Sequence, residues 1–365
     1  MAAQEQNLSL DTGKIAEVTD NSIELLKQLI SIQSFSKEEN LTADLLQRFL
    51  RSKGVKPFRM LNNVWAQNKH YKEGKPTILL NSHHDTVKPN AGYTNDPFEP
   101  IVKDGILYGL GSNDAGGCLV SLLATFLYFY DKEDMPYNIV YAASAEEEIS
   151  GLNGIEVILP ELENVEFAIV GEPTEMHLAI SEKGLMVLDC VSKGKSGHAA
   201  RDEGENALYK AMKDIEWFKT FEFPKVSETL GPIKMTVTVI NCGSQHNVVP
   251  DTCEFVVDVR ATDAYKNEEV FEIIKEHVDC EVKPRSLRLT PSSISQDHAI
   301  VKAGLSIGRN TYGSPTTSDQ ALMNFPSLKC GPGYSGRSHT ADEFIYLDEI
   351  KEGVEIYIKM LSQLV

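Results

Sequence analysis

Cysteine, positive charge and long apolar runs are all scarce in this chain, and each shortage closes off a class of function. Six thiols, Cys118, Cys190, Cys242, Cys253, Cys280 and Cys330, are scattered without a C-x-x-C pair. That excludes a thiolate zinc site and the disulfide framework of a small secreted domain. The thiols read as reduced, mostly buried small hydrophobes. No basic stretch followed by an apolar run opens the chain, and no apolar run is long enough to span a bilayer. A cytoplasmic protein with no membrane partner is expected. Lys and Arg number 35 against 53 Asp and Glu, a net charge of -18. Such a field repels phosphate backbones and anionic lipid, which argues against nucleic acid as a partner and leaves solubility as the reading of the acidity. There is no G-x-S-x-G segment and no evident nucleophilic cysteine, so a covalent acyl-enzyme has nothing to form on.

What is present is ordinary globular material: 42% apolar and 24% charged residues, enough to bury a core. A length of 365 residues points to one large domain and a smaller one. Ser36 stands three residues before Glu39, a capping-box spacing, and predicts a helix running to Gly54. The runs at 77–85, 138–148 and 167–174 are apolar and end in polar clusters, as buried strands opening into loops do. Between the first two, Leu119, Leu122, Leu123, Phe126, Leu127 and Tyr130 recur at helical spacing. Strand, helix and strand in alternation make this half α/β, and ligands of such sheets gather beyond the carboxyl ends of the strands. After about residue 180 the texture becomes alternating segments, at 185–192, 234–241 and 253–261, with helical patterns near 204–219 and 266–277. The expected organisation is therefore a catalytic domain built from 1–180 and 292–365, with an α+β domain, 181–291, inserted into it.

Five segments carry candidate ligands. In TILLNSHHDTV the strand period sends His83 and Asp85 to one side and His84 to the other, so His83 is the candidate ligand, with Asp85 behind it to orient the ring. Asp114 sits in a glycine-rich turn before a helix, where it could equally be a plain cap. Glu146, Glu147 and Glu148 end an apolar strand and repel one another unless a cation is near. Glu172 ends another buried strand, and His339 lies in a loop rich in Gly and Ser. Each segment has a bland reading of its own. Together they supply two imidazoles and at least three carboxylates at strand ends or adjoining loops, a donor set suited to zinc.

In the same order, these segments resemble those of the acetylornithine deacetylase, succinyl-diaminopimelate desuccinylase and aminoacylase family of two-zinc hydrolases, from about residue 20 to the C-terminus. The resemblance implies an α/β catalytic domain with a mixed central sheet and an inserted α+β lid that also dimerises. It implies two zinc ions per subunit, with Co2+ able to substitute. Asp114 would bridge them, His83 and Glu172 would complete one site, and Glu148 and His339 the other. Glu147 would be the general base. GKSGHAA resembles the lid histidine segment, making His198 an oxyanion donor supplied across a dimer. HNVVPD and VVDVR resemble lid segments whose Asn247 and Arg260 contact substrate, although Arg260 also reads as a buried structural ion pair. Ser82, Glu146 and Ala115-Gly116 depart from the family pattern without removing a ligand or the base. The reaction implied is removal of an acyl group from a small N-acyl amino acid, with N-acetylornithine or an acetyl- or succinylcitrulline favoured. A desuccinylase or a dipeptidase is the alternative. A non-catalytic binding protein on the same scaffold would be expected to have lost a ligand or the base.

Overall fold

The computed structural model describes residues 10–365. The chain divides into two compact units, Met1–Ile180 with Ile294–Tyr312 and Ser318–Val365, and Ser181–Ser293 with Gly313–Thr317. The fold is α/β with a mixed central sheet.

In the first unit the strand Thr77–His83 lies between Asn138–Ser144 and Val165–Val170, parallel to both. Ser327–Lys329 adds parallel to Val165–Val170, and Asn63–Gln67 adds antiparallel on the other side. Every residue of Thr77–His83 and Asn138–Ser144 is buried, because both faces of the sheet are covered. Ile78, Leu80, Ile139, Tyr141, Phe167 and Ile169 enter one apolar core. Their neighbours Leu79, Val140, Ala142, Ala168 and Val170 enter a second core on the opposite face. The period of two thus survives inside runs that look continuously apolar. The helix Gly117–Phe129 is buried on nearly its whole circumference, sharing the first core with residues of Thr12–Ile30 and Leu347–Leu361.

One local expectation fails. The helix after Ser36 spans Asn40–Ser52, and Ser36 does not cap it. Its hydroxyl donates instead to Asp85 Oδ2 at 2.7 Å. Glu39 holds the cap position with its carboxylate turned inward, accepting from Lys37 N–H at 2.7 Å, Asn62 Nδ2 at 2.8 Å and Glu146 N–H at 3.1 Å. A buried carboxylate that needs donors outbid the local cap.

The second unit is an antiparallel sheet ordered Lys234–Cys242, Thr252–Ala261, Gly184–Lys193, Glu281–Pro284. Burial alternates along Gly184–Lys193 and Thr252–Ala261. Met186, Leu188, Cys190, Phe255, Val257 and Val259 form one face, packed with Ala211 and Phe218 of the helix Ala207–Thr220 and with Val270 and Ile274 of Asn267–His277.

Candidate metal centre and active site

His83 closes its strand with the ring 1% exposed. Its Nδ1 lies 3.0 Å from the backbone carbonyl of Asp85, which can only accept, so Nδ1 carries the hydrogen and Nε2 of the neutral ring is left as a lone pair. The orienting partner is thus chiefly the Asp85 carbonyl; the Asp85 carboxylate stands 3.4 Å from Nδ1. That carboxylate has a second task. It accepts from the backbone N–H of Glu147 at 3.1 Å and of Glu148 at 3.2 Å, and so sets the turn that carries both acids. His84 faces away, between Thr42 Oγ1 and the Asn62 carbonyl, each at 2.9 Å, and burial pulls its pKa down to about 4.

Asp114 lies in the irregular turn Ser112–Gly116 and is not the cap of the helix that follows, whose N-cap is Gly116. The amides of this turn do bind an anion, but it is Glu343. Its carboxylate accepts from Gly111 N–H at 3.1 Å and from Asn113 and Asp114 N–H at 2.8 Å each. Asp114's own carboxylate is thereby left to face His83.

The three consecutive acids part company. Glu146 adopts a left-handed backbone and accepts from Asn153 Nδ2 at 2.9 Å, while Glu147 and Glu148 begin a short 3-10 turn. Glu172 follows Gly171, whose N–H donates to Asn81 O at 2.7 Å and whose carbonyl accepts from Ser82 Oγ at 2.8 Å. Ser82 therefore makes a bond that a glycine at this position would have no side chain to make. Glycine at 171 permits a close approach there, since a Cβ would press on Leu122, Cys118 and Ser82. His339 stands in the left-handed region, φ 60°, and its Nε2 lies 3.0 Å from Glu148 and 3.7 Å from Asp114.

Two donor groups result, His83 with Asp114 and Glu172, and Asp114 with Glu148 and His339, each with its ligand atoms within 4.8 Å of one another. From His83 Nε2 it is 3.3 Å to Asp114, 3.8 Å to Glu147 and 3.9 Å to Glu172. Donors arranged tetrahedrally around a zinc-sized ion stand about 3.3 Å apart, so the spacing suits a shared cation. Electrostatics agree. Burial pushes Glu147 well above the usual carboxyl range, with Glu172, Asp319 and Glu148 adding to it while His83 pulls the other way. Burial opposes protonation of His83, yet Glu147 and the hydrogen bonds that the charged ring donates to Asp114 and Asp85 override it and raise that ring well above its ordinary value. The hydrogen bond to Glu148 lifts His339 to about 9. So many carboxylates around one buried imidazole leave negative charge that divalent ions would neutralise. The residues present fit two such ions.

Two acids at this site escaped the sequence reading. Asp319 is 4% exposed, accepts from Ser144 Oγ at 2.5 Å, and is lifted by burial to about 6. It follows a polar run with no spacing that marks it. Glu343 was visible only as an acid after His339.

His198, Asn247 and Arg260 all belong to the second unit. His198 pairs with Val248 in a two-stranded ribbon, and Ala199 N–H donates to Asn247 O at 3.0 Å, so these two are neighbours. Arg260 donates through Nε and Nη2 to Asp258 at 2.8 and 3.1 Å, and through Nη1 to Thr317 at 3.2 Å.

Residues 79–363 match the family described as Peptidase family M20/M25/M40. The chain belongs to that family. It is a metal-dependent hydrolase of amide bonds. This M20-family chain is 28% identical over 353 residues to a LysW-lysine/LysW-ornithine hydrolase of Sulfurisphaera tokodaii, covering 93% of this chain and 95% of that protein. It is 23% identical over 376 residues to succinyl-diaminopimelate desuccinylase 2 of a Ruegeria species, covering 93% and 94%. Aminopeptidase PepT of Bacillus cereus shares the fold, with a TM-score of 0.75 at 18% identity over 95% of this chain and 98% of that one.

Proposed function

We propose that this M20-family chain is a two-zinc deacylase that frees the amine of a diamino acid from its acyl group. The observation that carries this reading is the position of Glu147. It lies 3.8 Å from His83 Nε2 and belongs to neither donor group, while Asp114 belongs to both. A carboxylate beside the donors but outside them is free to move a proton. In this proposal His83, Asp114 and Glu172 hold one ion, and Asp114, Glu148 and His339 the other.

Zinc, or cobalt in its place, would supply Lewis acidity and lower the pKa of water from about 16 towards 7. The chain's own part begins with Glu147, whose burial makes its carboxyl a ready proton acceptor. It takes a proton from the attacking water, holds it, and returns it to the departing amine nitrogen. Asp85 keeps Glu147 and Glu148 in place through their backbone N–H groups. His198 is suited to stabilise the developing oxyanion. Its Nδ1 accepts from Ala200 N–H at 3.1 Å, so the neutral ring carries its hydrogen on Nε2 as an outward donor. Asn247, beside it on the ribbon, and Arg260 are proposed as substrate contacts; Arg260 would have to share its Asp258-bound guanidinium.

The inferred substrate is broader than N-acetylornithine. The two relatives are named for succinyl-diaminopimelate and for lysine and ornithine conjugates. What these names share is a diamino acid leaving group, not an acetyl group. Rates on N-acetylornithine, N-succinyl-diaminopimelate, N-acetyllysine and a neutral dipeptide, with zinc-loaded protein, test this. Preference for the dipeptide would overturn the deacylase reading.

A cytoplasmic homodimer is also proposed. The scatter of six cysteines without a C-x-x-C pair or a small-domain disulfide framework is in keeping with the location. The strand Lys234–Cys242 lies at the sheet edge with Val239 and Ile240 nearly half exposed, and Tyr209 and Met212 stand out from the helix Ala207–Thr220. Such an edge, left uncovered, invites a second copy. In a mixed dimer, one Glu147→Gln subunit and one His198→Ala subunit should recover activity if His198 acts across the interface.

A further inference from the structure

Four of the six thiols fall within the second unit, and two of them meet across a strand pair. Cys242 ends the edge strand Lys234–Cys242, Cys253 is the second residue of Thr252–Ala261, and the register sets them directly opposite each other. The irregularity in this ladder lies between Val237 and Val239, so the pairing from Val239 to Cys242 is regular. Directly opposed residues of an antiparallel pair share a face and have Cα atoms about 4.5–5.5 Å apart, within the roughly 4.4–6.8 Å that a disulfide spans. The two sulfurs differ in access. Cys253 is fully buried in the apolar core, while Cys242 is half-buried at its margin, 3.5 Å from the Thr252 carbonyl.

We propose that Cys242 and Cys253 form a dithiol modification site, closed into a cross-strand disulfide by a small-molecule disulfide. The half-buried Cys242 reacts first: its thiolate attacks one sulfur of oxidised glutathione, forming a mixed disulfide and expelling one glutathione thiolate. Cys253 then gives up its proton to solvent and attacks Cys242 Sγ, expelling the second glutathione. Both protein thiols are oxidised and one glutathione disulfide is reduced to two thiols. Burial, with the neighbouring Cys242 thiol, pushes Cys253 up to about 12, so this second step is the slow one. The bond would close the base of the segment 243–251, which carries Asn247 and the strand Val248–Val249 paired with Gly197–His198. Oxidation would thereby stiffen that ribbon.

The test uses the full-length, metal-loaded protein incubated with oxidised glutathione, and its readouts do not depend on hydrolysis. Peptide mapping should find the Cys242 and Cys253 peptides joined, two hydrogens lighter than the reduced pair, with both thiols closed to alkylation until dithiothreitol is added. Amide exchange over 243–251 should slow about tenfold. Cys242→Ser and Cys242→Ala should each abolish the cross-link and the slowing, and leave the exchange pattern of the reduced protein unchanged. The proposal is overturned if both thiols stay alkylatable, if a glutathione adduct persists on Cys242, or if Cys242 joins a different thiol.

Discussion

Replacing Glu343 by Gln should stabilise the metal-free protein at high pH and weaken metal binding, two effects of opposite sign from one group. Glu343 is 1% exposed and accepts three backbone N–H bonds from the turn around Asp114. Those bonds favour the ionised carboxylate; burial and the like charge of Asp114 oppose it and win, lifting the group from 4.5 to about 8. An acid raised in the folded state stabilises the fold fully only below its unfolded pKa. That contribution disappears as pH rises through the folded value. Here the window is 4.5 to about 8, and the gap corresponds to roughly 5 kcal/mol at most. Glu343→Gln is uncharged at every pH, as the protonated acid is; its amide oxygen can accept from Asn113 and Asp114 N–H, but its NH2 cannot accept from Gly111 N–H, so one bond is lost whatever the pH. Urea unfolding of chelator-treated protein in a Trp217→Phe background, so that Trp65 of the first unit is the reporter, should give the variant no advantage near pH 5. By pH 9 the difference should have moved by several kcal/mol in the variant's favour. With cations neutralising Asp114, the ionised side chain regains its three bonds, each worth about 1.5–3 kcal/mol, and the variant should hold metal more weakly. Parallel pH profiles, or unchanged metal affinity, would refute the reasoning.

Three further outcomes are expected. Glu147→Gln should lower kcat by about 100- to 10,000-fold while plasma emission spectrometry finds its metal content unchanged; retained turnover would remove Glu147 from the proton path. His339→Ala should bring the metal content from two ions per chain to one, since only the group of Asp114, Glu148 and His339 loses a donor. His198→Ala should cost about 100- to 1,000-fold in kcat with an unchanged melting temperature, because the side chain is exposed and its loss opens no cavity.

Much of this protein was legible before folding because its signals are local. Apolar runs at 77–85, 138–148 and 167–174 end in His83, the Glu146–Glu148 triplet and Glu172, and each run proved to be a sheet strand. The helix placed between the first two is Gly117–Phe129, and the two helical patterns after residue 200 are Ala207–Thr220 and Asn267–His277. Local rules failed where a distant buried group competed for the same atom. Ser36 had the spacing of a cap but went to Asp85, 49 residues away. The Asp114 turn had the amides of an anion site, but its anion is Glu343, 229 residues on.

The sequence by itself determined the strand and helix texture, the change of texture near residue 180 and the order of the candidate ligands, since periodicity and residue type act over a few neighbours. Tertiary structure alone decided that the Asp85 carbonyl orients His83, that the Asp85 carboxylate braces Glu147 and Glu148, and that Asp319 and Glu343 join the buried acids. The physical reason is burial: a carboxylate removed from water must take its donors from whatever the fold brings within 3 Å, and sequence distance has no part in that choice.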